Sequence, residues 1–72
     1  MKKLPFDVTI LDTEPVYVTN PFSGDGVMLS PEEVAIYDVL KGAEMLGQYD
    51  YVRKGLDWFM ENNAEAYMVL LD

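Results

Sequence analysis

The chain has 72 residues, half of them hydrophobic, with 13 Asp plus Glu against five Lys plus Arg and a net charge of −8. It has neither Cys nor His, which excludes a disulfide framework, a zinc site of ordinary ligand type and any Ser–His or Cys–His nucleophile. The carboxylate excess opposes direct binding to nucleic-acid phosphates or anionic lipid, and the apolar content is too high for a disordered chain.

Residues 1–72 are expected to form one small domain. A chain of this size buries only about 60% of the surface that its unfolded form exposes, so its stability is marginal. With no disulfide or zinc available, oligomerisation is the remaining source of added stability. Met1-Lys2-Lys3 is followed by Leu4-Pro5-Phe6-Asp7, which is not the apolar stretch of a signal peptide. No run approaches the roughly 20 apolar residues of a membrane-spanning helix. A cytoplasmic protein that does not enter the membrane is expected.

Residues 6–29 read as strands and turns, and residues 31–71 as helices. Phe6-Asp7-Val8-Thr9-Ile10 alternates apolar and polar residues, as a half-buried strand does. It either pairs with the segment that follows or lies as an extended arm. Val16-Tyr17-Val18-Thr19 and Val27-Met28-Leu29 are two further short strands. They are joined by Asn20-Pro21-Phe22-Ser23-Gly24-Asp25-Gly26, where Pro21 pre-sets a turn angle and the glycines permit positive φ.

Ser30-Pro31-Glu32-Glu33 announces a helix. Ser30 is a good N-cap, Pro31 suits the first helical position, and Glu33 completes a capping box. The helix is predicted from Pro31 to about Leu46, with Ile36, Val39, Leu40, Ala43 and Leu46 on one face and Gly47 as its stop. A second helix is predicted from near Asp50 to near Asn62. Its apolar residues Tyr51, Val52, Leu56, Trp58, Phe59 and Met60 spread over about 200° of arc. Asn62 is the expected cap of a short third helix over Ala66–Leu71, with a terminal strand as the alternative.

The glycine-rich loop invites a calcium reading. Counted from Pro21, Ser23, Asp25, Gly26 and Glu32 fall on positions three, five, six and twelve of an EF-hand loop. Position one is then proline, and a strand instead of a helix enters. Glu32 and Glu33 already have a place in the first helical turn. A phosphate loop needs a Gly-Lys-Ser/Thr sequence that does not follow here. Carboxylate pairs need a shaped pocket, which so small a domain has little volume to enclose. The reading is a hairpin and a cap, with no metal, no cofactor and no catalytic residue.

An arc of about 200° is too wide for one flat neighbour to cover. Val34 and Met45 add apolar bulk off the main face of the first helix. Val34, Met45, Tyr51, Trp58 and Met60 are therefore the candidate interface residues, on one edge of the helical hairpin.

Leu46-Gly47-Gln48-Tyr49-Asp50, followed by a helix, resembles the inter-helix turn of a tetratricopeptide repeat. The small residue expected after that turn is Val52 here, no second repeat follows, and strands precede it. The resemblance implies similar local packing of two helices. The longer stretches NPFSGDGV–LSPEEVAIYD, KGAEMLG and RKGLDWF are similar to short proteins of marine cyanobacterial phages. That resemblance implies a small protein acting in the cytoplasm of an infected bacterium, with no catalytic residue.

The expected fold is α+β: a small antiparallel hairpin of two or three strands, packed on a helical hairpin with a short C-terminal helix. The expected function is that of a small acidic, non-enzymatic, self-associating protein-interaction module, with a basic host protein as a further candidate partner. The alternative is an acidic mimic that blocks a nucleic-acid-binding protein.

Overall fold

The structure, a computed structural model, describes residues 4–71. Two strands, β1 (Val16–Thr19) and β2 (Gly26–Leu29), form an antiparallel two-stranded sheet. Two helices follow, α1 (Pro31–Leu46) and α2 (Tyr49–Asn62). A single turn, α3 (Ala64–Ala66), then runs into a wider π-helical turn over Tyr67–Leu71. The α+β architecture is as expected.

The β register pairs Val16 with Leu29, Tyr17 with Met28, Val18 with Val27 and Thr19 with Gly26. Side chains alternate across a strand, so Val16, Val18, Val27 and Leu29 share the inner face. Val27 and Leu29 are buried, whereas Tyr17 and Met28 are exposed on the outer face. The loop turns as its residues predict. Gly24 takes a left-handed φ of 81°. The Gly24 amide donates to the Asn20 carbonyl at 2.8 Å, and the Asn20 amide to the Asp25 carbonyl at 2.7 Å. The Asn20 side chain then reaches across the molecule and donates to the Val69 carbonyl at 3.1 Å. This fastens the hairpin to the C-terminal turn.

The start of α1 is a full capping box. The Glu33 amide donates to Ser30 Oγ at 3.3 Å, and the Ser30 amide donates to Glu33 Oε1 at 2.7 Å. Pro31 occupies the first turn, and Gly47 ends the helix at φ 73°. Loss of the cap hydroxyl strands one amide, so Ser30→Ala should cost about 1 kcal/mol. In a domain this small that lowers the melting temperature by roughly 4–8 °C. Thermal unfolding followed by circular dichroism reads the shift, and an unchanged midpoint would mean that the hydroxyl contributes nothing.

The core gathers Leu29, Ile36, Leu40, Phe59, Ala66 and Leu70 with Val27, Val34 and Trp58 at its margins. The two long helices meet closely at Gly55, where an added Cβ would lie 2.6 Å from the Leu40 side chain. A side chain at position 55 would push the helices apart.

Three expectations are corrected. Residues 6–10 form no strand: they are the extended arm, and among the described residues none from 4 to 15 makes a backbone–backbone hydrogen bond. Pro5 and Pro15 lack the amides that a ladder would need at either end. Leu4, Phe6 and Val8 instead pack on the core, with the Phe6 ring edge-on to Tyr51 at 5.3 Å. Leu46, expected on the buried face of α1, is exposed, because the last turn of α1 runs past the packed region. The cap of the third helix is Asn63 instead of Asn62. Asn63 has an extended φ of −155° and accepts the Ala66 amide at 3.1 Å. Asn62 stays within α2 and donates to the Trp58 carbonyl at 2.9 Å.

Candidate interaction surface

The structure separates the five candidate interface residues. Val34 and Trp58 are buried, which corrects their place at an exposed edge. Val34 lies in the first turn of α1 and is part of the core cluster. Trp58 packs edge-on to Phe59 at 5.1 Å, and Leu4 and Pro5 of the arm lie beside it. The wide apolar arc of α2 is thus covered from one side by α1 and from another by the arm. Tyr51 and Met60 remain exposed, Tyr51 with Phe6 against its ring. Met45 is 88% exposed.

Met45 has company that the sequence pattern did not single out. Leu46 and Tyr49 are 74% and 71% exposed. With Met45 they form an apolar tip at the turn between α1 and α2. The turn is well made. The Gly47 amide donates to the Ala43 and Glu44 carbonyls, and the Gln48 amide to the Ala43 carbonyl at 2.9 Å. Gly47, Gln48, Tyr49, Asp50 and Tyr51 line a shallow hollow there. Glu44 and Asp50 flank the apolar residues. Glu44 also receives Lys41 Nζ at 3.3 Å, an exposed pair that contributes little to stability.

The glycine loop is occupied with its own geometry. Asn20 Oδ1 accepts the Phe22 amide at 2.9 Å, and Ser23 Oγ accepts the Asp25 amide at 3.2 Å. These bonds fix the loop while Phe22 stands 98% exposed. Among the described residues, no group of three or more carboxylates converges as metal ligands would. The one buried charged residue among them, Glu33, is committed to structure: it receives the Ser30 amide and, at 2.9 Å, Asn63 Nδ2. No helix among the described residues is long and apolar enough to cross a membrane.

Compared with known families, curated proteins and solved structures, the chain matches none of them.

Proposed function

We propose that the chain is a small acidic interaction module, without catalytic chemistry of its own, that self-associates and offers its helical-hairpin tip to a protein partner. The exposure of Met45, Leu46 and Tyr49 on an ordered turn carries this reading. Large apolar side chains grouped on a surface mark contact sites, and Met and Tyr are among the residues enriched at interface centres. Glu44 and Asp50 beside the tip favour a basic partner, as does the net charge. The likeness to short cyanophage proteins makes a host protein in the bacterial cytoplasm the natural class. The nucleic-acid-mimic reading gains less support, because Arg53 and Lys54 interrupt the acids Asp50, Asp57 and Glu61 along α2.

Replacing Met45, Leu46 and Tyr49 together with Ser tests the tip. All three are exposed, so the folded state should survive with its circular dichroism unchanged. Immobilised wild-type chain should retain a defined set of basic proteins from a bacterial lysate, and the triple variant should lose them. Equal capture by both proteins would remove the tip from the proposal.

A further inference from the structure

The β-sheet has an edge that the fold leaves open. In an antiparallel ladder, hydrogen-bonded and non-bonded pairs alternate. The Asn20 amide bonds to the Asp25 carbonyl, and the register continues from there through Val18 opposite Val27 and Val16 opposite Leu29. The backbone groups of Asn20, Val18 and Val16 therefore turn toward β2. Those of Tyr17 and Thr19 turn outward. Neither residue's amide nor carbonyl has a hydrogen-bond partner among the described residues. β2 packs against α3 and the π-helical turn, whereas among the described elements the main partner of β1 is β2, with Val16 and Val18 also against the core cluster.

Exposed strand edges of this kind are commonly blunted by a charge, a proline or a bulge. β1 has none of these within Val16–Thr19. A two-stranded sheet is also marginal by itself, and further strands stabilise it.

We propose that β1 pairs antiparallel with β1 of a second copy of this chain, about a twofold axis at Val18. This rests on the reading of the chain as self-associating, but it uses a surface remote in sequence from the helical tip. The pattern of free groups selects the register. With Val18 opposite its own symmetry mate, Tyr17 faces Thr19 of the second copy and Thr19 faces Tyr17. The two amides and two carbonyls on each edge then meet their complements. A shift by one residue either way leaves some of them unpaired or sets Thr19 opposite Pro15, which has no amide to give. The result is a four-stranded sheet, with Tyr17 and Met28 of both copies on one face.

Charge favours this surface for a like partner. Two copies of a chain at −8 repel. Residues 15–24, bounded by Glu14 and Asp25, form the longest stretch of the chain without a charged side chain. The strand edge lies inside it, where the approach of a second copy meets the least repulsion. Screening by salt should strengthen the dimer.

Sedimentation at tens of micromolar, in low and high salt, should give twice the mass of one chain, more completely in high salt. Thr19→Pro removes an outward amide and leaves the ladder to β2 intact, so this variant should be monomeric. The chain lacks cysteine, which allows a test of register. Directly opposed non-bonded residues have Cα atoms about 4.5 Å apart, within the span of a disulfide. Val18→Cys should therefore cross-link to a covalent dimer under air oxidation severalfold faster than Thr19→Cys, although position 19 is the more exposed. A wild-type protein that stays monomeric in both salts overturns self-association itself. A wild-type dimer that survives Thr19→Pro, or that cross-links faster at position 19, leaves self-association standing and overturns the pairing of β1.

Discussion

Phe59→Ala is expected to remove most of the stability of this protein. The Phe59 side chain is fully buried and lies in one cluster with Leu29, Ile36, Leu40, Ala66 and Leu70. It therefore links sheet, helical hairpin and C-terminal turn. Truncating a buried Phe to Ala costs about 3–5 kcal/mol, from lost transfer free energy and the cavity left behind. At roughly 0.05–0.15 kcal/mol per residue, a domain of this length has only about 4–11 kcal/mol in total. The melting temperature should fall by at least about 12 °C, and the variant should be partly unfolded at ambient temperature if the total is near the low end. Met68→Ala, at an exposed position, should stay within about 0.5 kcal/mol of the wild type. Similar midpoints for the two variants would refute the central place given to Phe59.

Glu33→Ala should be the most damaging change at a charged residue. Glu33 closes the capping box of α1 with Ser30 and also holds the side chain that caps α3, since Asn63 Nδ2 donates to Glu33 Oε2. Its removal costs part of a cap, about 1 kcal/mol. It also strands the Ser30 amide and the Asn63 side-chain donor, and each buried unpaired group costs about 1–3 kcal/mol. Both stranded groups are only half-buried, so water offsets part of each penalty and a total of about 2–4 kcal/mol is expected. The loss should exceed that of Ser30→Ala, and the neighbouring exposed Glu32→Ala should be close to neutral. A double-mutant cycle with Asn63→Ala should show a coupling of at least about 0.5 kcal/mol. Additive losses would mean that the two helix starts are energetically independent.

The parts of the fold written in local chemistry were legible before the structure. Pro21 and Gly24 make a turn by their own backbone preferences, Ser30 and Glu33 cap a helix within one turn, and Gly47 ends it in a left-handed conformation. None of these needs a distant partner. The misreadings concern coverage. Trp58 and Val34 lie at the edges of their helices' apolar arcs, and only the arm and the neighbouring elements decide that they are buried. The arm itself looked like a strand because alternation serves any extended segment with one face on a core. Leu46 has the right helical phase but lies where α1 outruns its neighbours. The apolar tip is only half legible in the sequence: Met45 stands out by its phase, but Leu46 has the phase of a core face and Tyr49 falls in a turn. The open edge of β1 could be read only once the register fixed which amides turn outward.

The tie between Asn20 and Val69 has a consequence for how the chain is made. These two residues are 49 positions apart, and the core they help to close includes Ala66 and Leu70. A ribosome delivers the hairpin first, at about 5–20 residues per second. That hairpin emerges without the residues that hold it down, and a two-stranded sheet has little stability alone. The N-terminal half therefore waits for the last stretch of the core before it can settle. Non-local closure of this kind slows folding, because the entropy of a long loop is lost before its contacts form. Chains interrupted before Leu70 would expose Phe59 and the inner face of the sheet, and cellular proteases would remove them.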